Sequence, residues 1–320
     1  MSKVLVTGGA GFIGSHVVEL LERQGRDVVV LDDLSTGRRE NLDGRRARFV
    51  HGSIVDRKAL DDAFDGVGKV VHLAALPSVA RSVERPVDTH HACATGTLMV
   101  LDAARLRGAR VVYAGSSSAY GNQQAQQKHE DLREDPLSPY AAAKLAGELY
   151  CRSFARVYGL QVVVTRFFNV FGPRQPADSP YSGVIAAFCR AALDGRPARI
   201  DGDGLQARDF TYVEDVVEGV VQALDAGSDG CETINLAYGQ STTVLDVHAA
   251  LAALAQPWLG GAPSPAPIHA PPRKGDVRHS LADSRRAAER FGFAPRIGLT
   301  EGLRRTFDWY RQQSRRMMSP

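Results

Sequence analysis

A short apolar run, Lys3 to Thr7, leads directly into Gly8-Gly9-Ala10-Gly11-Phe12-Ile13-Gly14 and then into a helical pattern from Ile13 to Gln24. Glycines spaced as Gly8, Gly11 and Gly14 suit a backbone that must turn sharply, admit a ligand and pack a helix close to a strand. The free amides of the helix start then face an anion. The next apolar run, Asp27 to Leu31, is followed by Asp32, 18 residues beyond Gly14. A carboxylate at that place accepts hydrogen bonds from ribose hydroxyls and repels a 2′-phosphate, so the segment reads as a βαβ unit for NAD rather than NADP. Arg38 and Arg39, further along, read as solvated loop charges.

The same alternation continues through Ala47 to His51, Lys69 to Leu73, Arg110 to Ala114 and Gln161 to Arg166, with helical patterns at Ala94 to Arg107 and Tyr140 to Tyr158. Val-rich strands separated by helices predict a parallel sheet covered on both faces. After Phe171, prolines and glycines punctuate shorter elements, whereas Val213 to Ala226 and Glu232 to Leu236 read as a helix and strand returning to the first lobe. A chain of 320 residues with 44% apolar content has material for two lobes. The expected fold is α/β: a Rossmann-type doubly wound parallel sheet over residues 1–170, completed by 211–237. A smaller, interleaved α/β substrate-binding lobe takes 171–210 and 238–320. Gly260 to Pro272 reads as a surface connection and Gln312 to Pro320 as a frayed tail.

A second constellation follows the fifth strand. Ser116-Ser117-Ser118-Ala119-Tyr120-Gly121 closes it, and a helix opening at Ser138-Pro139 carries Tyr140 and Lys144 one turn apart on one face. An unperturbed phenol ionises near pH ~10, so Tyr140 serves as a base only where cations lower its pKa; Lys144 and a nicotinium ring would supply that charge. Ser116 would hold the same substrate hydroxyl. Each motif alone is common: a serine run is usually a turn, and Tyr-x-x-x-Lys occurs on many surface helices.

With these motifs the chain resembles the extended short-chain dehydrogenase/reductase family, and within it the UDP-sugar 4-epimerases, from Val4 to about Tyr310. The resemblance rests on the glycine loop, His72-Leu73-Ala74-Ala75, the serine run, Tyr140-Ala141-Ala142-Ala143-Lys144, Arg166-Phe167-Phe168-Asn169-Val170-Phe171-Gly172-Pro173, Arg208-Asp209-Phe210 and Arg273-Lys274-Gly275-Asp276. It implies Ser116, Tyr140 and Lys144 as the catalytic set. It also implies cofactor contacts from Gly8, Gly11, Phe12, Ile13, Gly14, Asp32, Ser53, Ile54, Leu73, Ala74 and Ala75. For the substrate it implies Asn169, Arg208 and Arg273 on the diphosphate and Asp276 on the uridine ribose, with Ser78, Ser117, Ser118 and Ser280 as further candidates. Two arginines can fork onto a diphosphate, and a carboxylate suits a ribose diol.

Departures from the family pattern matter equally. Ser53 stands where relatives carry an adenine-contacting Asp, and Cys93 where they carry an Asn near the nicotinamide. Sugar dehydratases place an Asp-Glu pair, and decarboxylases a Glu, where this chain has Ser117 and Ser118. Uronate epimerases often carry a second Arg after Gly-Pro-Arg, absent here, although Arg174 and Arg81 keep a carboxylate reading open. What is left is oxidation at C4 and return of the hydride. Epimerases confined to UDP-glucose and UDP-galactose commonly hold a Tyr where Ser280 stands, so the expected substrates are UDP-GlcNAc and UDP-GalNAc, with UDP-glucose and UDP-galactose also admitted. The competing readings are a net nucleotide-sugar oxidoreductase and a non-catalytic NAD sensor, in which Tyr140 or Lys144 would be expected to have decayed.

Lys and Arg outnumber Asp and Glu by only 39 to 36 without a basic run, which argues against nucleic acid as a partner. No apolar stretch is long enough for a membrane span and no secretory signal is recognisable, so a cytoplasmic protein is expected. Cys93, Cys151, Cys189 and Cys231 are far apart and form no C-x-x-C pair, consistent with buried thiols and no metal. His72 reads as structural, and the adjacent His90 and His91 as pointing to different helix faces. Apolar residues on more than one face of helices 94–107 and 140–158 suit either a homodimer contact or burial within one chain.

Overall fold

The computed structural model describes residues 2–178, 182–273 and 277–318. In chain order the first part holds β1 (Lys3–Thr7), α1 (Phe12–Arg23), β2 (Val28–Asp32), β3 (Arg48–His51), α2 (Arg57–Ala63), β4 (Val67–His72), α3 (Val79–Glu84), α4 (Pro86–His90), α5 (Gly96–Leu106), β5 (Arg110–Ser116), α6 (Pro139–Tyr158) and β6 (Val162–Phe167). Then follow β7 (Val170–Phe171), α7 (Val184–Leu193), β8 (Arg199–Asp201), β9 (Ala207–Asp209), β10 (Thr211–Tyr212), α8 (Val213–Ala226) and β11 (Cys231–Leu236). The chain ends with β12 (Ser241–Thr243), α9 (Val244–Ala255), β13 (Ile268–Ala270), β14 (His279–Ser280), α10 (Arg285–Phe291) and α11 (Leu299–Met318).

Seven parallel strands form the main sheet in the order β11-β6-β5-β4-β1-β2-β3. Side chains alternate across it as the strand pleat requires. Val4, Val6, Val28, Val30 and Val112 join α1 and α8 in one core cluster. Leu5, Val29, Leu31, Val111 and Tyr113 pack with α2, α5 and α6 in the other. The strand order reverses direction between β1 and β4, which opens a crevice at the carboxyl edge of the sheet, the place where such folds take ligands.

The second part of the chain is built from small pieces. β9 is flanked by β12 and β14, β8 pairs with β13, and β7 with β10. Residues of α7, α9 and α11 continue the same core cluster that lies under α1 and α8, so no hydrophobic break separates the two parts.

Three expectations are corrected. The stretch Gly260 to Pro272 is not only a connection, since β13 pairs with β8 from within it. The helix expected over Ala94 to Arg107 begins as a π-helical turn, His91–Thr95, before α5. The tail is not frayed from Gln312, because α11 continues to Met318, carried by an amphipathic face that buries Leu303, Phe307 and Tyr310.

Candidate active site

A cavity of about 1250 Å³ lies over the carboxyl edge of the sheet and is walled by both parts of the chain. That is more than a single drug-sized ligand needs.

The cofactor side follows from the glycine loop. Gly8 has φ +70°, and a Cβ there would sit 2.8 Å from the Ala74 amide nitrogen; a Cβ on Gly14 would lie 2.1 Å from the Gly8 carbonyl oxygen. Only glycine permits this approach of β1, α1 and β4. Gly11 caps α1 without a side chain, leaving the first-turn amides to an anionic ligand. Asp32 accepts the Ala10 amide (2.9 Å) on one oxygen and the Leu34 amide (2.8 Å) on the other. Burial raises its pKa above the usual carboxylate value, against those two amides. Gly8, Gly11, Phe12, Ile13, Gly14, Asp32, Ser53, Ile54, Leu73, Ala74 and Ala75 all line the cavity. Ser53 also accepts the Val55 amide at 3.4 Å.

Beneath this loop runs a chain of hydrogen bonds. The Thr97 hydroxyl donates to the Cys93 carbonyl (2.5 Å), so it accepts from His72 Nε2 (3.0 Å). His72 is fully buried and its pKa is pushed down to about 3, first by burial and then by Lys144. A neutral ring with its proton on Nε2 accepts at Nδ1, so Thr7 donates there (2.7 Å) and itself accepts the Ala74 amide (3.3 Å). This is a structural histidine. His90 and His91, expected on different faces, both line the cavity.

On the catalytic side, Ser138 caps α6 by accepting the Ala141 amide, and Pro139 occupies its first turn. These two residues set the register that brings Tyr140 and Lys144 to the end of β5. Ser116 Oγ accepts from the Ser118 hydroxyl (2.8 Å) and amide (3.2 Å). Burial drives the Tyr140 phenol well above its ordinary pKa, Cys93 adds to the rise and Ser116 opposes it. Lys144 is buried, with Nζ 4.3 Å from the centre of the Tyr113 ring, and burial lowers its pKa. The residues alone thus hold the phenol protonated. Lowering its pKa calls for positive charge beside it, which the nicotinium ring of oxidised NAD carries. Cys93 sits in a small apolar cluster with Ala94, Ala143 and Tyr140, so here the position packs against the tyrosine.

Sequence reasoning missed the support under this set. Arg166 is fully buried, stacks on Tyr120 at 4.5 Å and is held by Glu148 (2.7 Å) and Glu134 (2.9 Å). Glu148 lies one turn beyond Lys144, and a Cβ on Gly115 would come within 2.7 Å of its Oε1. The i, i+4 spacing of Lys144 and Glu148 was the available signal. Arg38 is not simply a solvated charge either: it lines the cavity and pairs with Asp178 of the second part. Arg39 stacks on Phe49.

On the opposite wall, Ser78, Ser117, Ser118, Asn169, Arg208 and Ser280 line the cavity. Arg208 is buried, with Nη1 donating to the Ala207 carbonyl (2.9 Å), and lies in register with Ser280 across β9 and β14. Beside it Asp209, pushed up to about 6 by burial, accepts the Gly239 and Ala282 amides. One expected residue does not join this wall. Arg273, beyond the end of β13, is absent from the cavity lining and pairs with Asp201, half exposed to solvent. Asp276 lies outside the described residues. Arg174 pairs with Glu19 and does not line the cavity, whereas Arg81 does.

Fold and site together define an NAD-dependent enzyme of the short-chain dehydrogenase/reductase type. The model of the NAD dependent epimerase/dehydratase family matches residues 4–237, and the chain belongs to that family. It is similar to the UDP-glucose 4-epimerase of Mycolicibacterium smegmatis, 40% identical over 98% of this chain and 99% of the relative. Among solved structures it resembles the Thermus thermophilus UDP-glucose 4-epimerase in complex with NAD, at 37% identity and TM-score 0.88, covering 97% of this chain and 99% of that one. It also resembles the UDP-N-acetylglucosamine 4-epimerase of Methanobrevibacter ruminantium in complex with UDP-N-acetylmuramic acid, at 35% identity and TM-score 0.90, covering 98% and 99%. NAD is the cofactor of this chain.

Among the described residues no helix is long and apolar enough to cross a membrane, and no cluster of His, Cys, Asp and Glu is grouped to hold a metal.

Proposed function

We propose that this NAD-dependent UDP-sugar 4-epimerase interconverts UDP-GlcNAc and UDP-GalNAc, with UDP-glucose and UDP-galactose as further substrates. The observation that carries the reading is Ser280, a small buried side chain lining the cavity beside Arg208. A serine leaves room for a 2-acetamido group that a tyrosine would fill. Relatives of both specificities cover nearly the whole chain.

In this reading residues 1–170 with 211–237 hold NAD, and 171–210 with 238–320 hold the UDP-sugar. Arg208 and Asn169 grip the diphosphate. Ser116 orients the sugar 4-hydroxyl and Tyr140 takes its proton, with Lys144 beside it. NAD supplies the acceptor and then the donor of the C4 hydride. Binding energy from the UDP end holds the 4-keto sugar while it turns its other face, and Tyr140 returns the proton.

Incubating purified enzyme with UDP-GlcNAc and with UDP-glucose and following each C4 epimer tests the proposal. Turnover of the acetamido sugar without build-up of reduced cofactor is expected, and none at all overturns it. Ser280→Tyr should depress the acetamido sugar about tenfold or more relative to UDP-glucose.

The enzyme forms a homodimer through helices 94–107 and 140–158. Support comes from Leu106, Leu149, Val157 and Tyr158, all more than half exposed along α5 and α6. Light scattering should return twice the chain mass, and Val157→Glu should shift it to the monomer. We place the protein in the cytoplasm on its four unpaired cysteines, three of them buried.

A further inference from the structure

Lys128 is a buried ammonium in the cavity wall with no task in the chemistry above. The residue is 3% exposed and lines the cavity. Its backbone is clamped to the second-part wall. The amide donates to the Leu281 carbonyl (2.7 Å), and the carbonyl accepts from the Asp283 amide (3.0 Å) and the Asn235 side-chain amide (2.9 Å). Asn235 is fixed in turn by the Tyr120 hydroxyl (2.7 Å). Lys128 therefore stands between the serine turn that ends at Gly121 and the strand that carries Ser280.

Its ammonium has three protons to donate, and among the described residues its acceptor is the Gln123 carbonyl at 2.6 Å. No carboxylate of the described residues lies within ion-pair distance. Arg166, fully buried, has two glutamates. Burial pushes the Lys128 pKa down with nothing opposing it. A buried cation without a counter-ion is costly, and a ligand bringing an anion relieves more of that cost than one bringing a hydroxyl.

We propose that Lys128 receives a carboxylate carried on the sugar part of a bound nucleotide sugar, so that the pocket binds acidic nucleotide sugars more tightly than the neutral ones it epimerises. The inference rests on the reading that this side of the cavity takes a UDP-sugar. Two attachments share the chemistry, a uronate carboxylate at C6 and an acid on an ether arm, and they are separable by probe.

The test measures calorimetric affinity of the NAD-loaded enzyme for UDP, UDP-glucose against UDP-glucuronate, and UDP-GlcNAc against UDP-N-acetylmuramate. Wild type should prefer the acidic member of at least one pair, and which pair shows it identifies the attachment. Lys128→Met should weaken that acidic ligand about tenfold or more while leaving UDP and the neutral sugars within about threefold. Lys128→Arg should restore part of the preference. Lys128→Gln, which keeps a donor for the Gln123 carbonyl, serves if the methionine variant does not fold.

Equal affinity for acidic and neutral members in wild type overturns the proposal without any variant. So does a uniform loss for UDP and all sugars in Lys128→Met, which would assign the lysine to the diphosphate or to holding its loop. Failure of UDP itself to bind would instead defeat the underlying UDP-sugar reading.

Discussion

On the floor of the cavity, Ser116 ends a seven-residue strand and Tyr140 and Lys144 occupy the first turns of a twenty-residue helix. On the facing wall, Ser280 and Arg208 sit on strands of two and three residues. The floor is held by groups that close on one another: Thr7, His72 and Thr97 under the glycine loop, Glu148 and Arg166 under the helix of Tyr140 and Lys144. The wall is held by backbone amides gathered on Asp209 and by turns. A reaction common to many substrates calls for the first kind of construction. A choice among sugars can be altered in the second without disturbing the chemistry.

The strongest way to break this division is Tyr140→Phe. If the floor alone carries the chemistry, kcat should fall about 10²- to 10⁴-fold while affinities for NAD and UDP stay within about threefold. A matching loss of UDP affinity would show that floor and wall are not separable. Glu148→Gln comes next. It leaves Arg166 buried with a diminished counter-ion, so chemical denaturation should report a loss of about 3 kcal/mol. Ser280→Tyr on the wall should leave the denaturation midpoint nearly unchanged.

A smaller effect should appear with pH. His72 has its pKa lowered to about 3 in the folded chain from 6.5, and His16 to about 4, each chiefly by burial. A depressed folded pKa means that the unfolded chain binds the proton first. Their contribution is therefore complete above pH 6.5 and lost progressively as the pH falls toward 3. Asp209, raised to about 6, acts in the opposite sense over part of that range. Thermal unfolding of His72→Gln should show a lower midpoint at neutral pH and a shallower decline on acidification than wild type.

The same division explains what was legible in the sequence. Glycine loop, serine run and Ser-Pro helix start are local codes: each fixes a turn or a cap within a few residues, so Gly8, Ser116 and Tyr140 fall where their neighbours place them. Asp32 follows because one βαβ unit has little freedom of length. Arg273 does not line the cavity, and β13 just before it is placed by pairing with β8, a contact set by distant chain and not by its own neighbours. The ion pair of Arg166 and Glu148 joins β6 to α6 across the sheet, and Lys128 owes its burial to Leu281 and Asn235. Beyond the i, i+4 spacing of Lys144 and Glu148, none of these has a short-range signature. The π-helical turn at His91–Thr95 is likewise anchored from outside, through Cys93, Thr97 and His72.

Floor and wall meet at Arg38 and Asp178, where the smallest effect is expected. The Arg38 amide donates to the Ala10 carbonyl (3.0 Å), next to the glycine loop, while its guanidinium reaches across to Asp178. Both side chains are more than half exposed, so the pair is screened by solvent and salt and can contribute little to folding. Its consequence is instead kinetic: it bridges the cleft beside Asp32. Asp178→Ala should speed NAD dissociation about two- to threefold at low salt, and the difference from wild type should vanish as ionic strength rises. The same change frees a guanidinium one residue from Gly37, whose Cβ position is 2.9 Å from the Asp32 carboxylate, so the NADP to NAD affinity ratio should rise by a similar factor. Arg38→Ala should match the first effect and lack the second. If both variants left NAD release unchanged at low salt, the Arg38 and Asp178 pair would have no part in holding the cofactor.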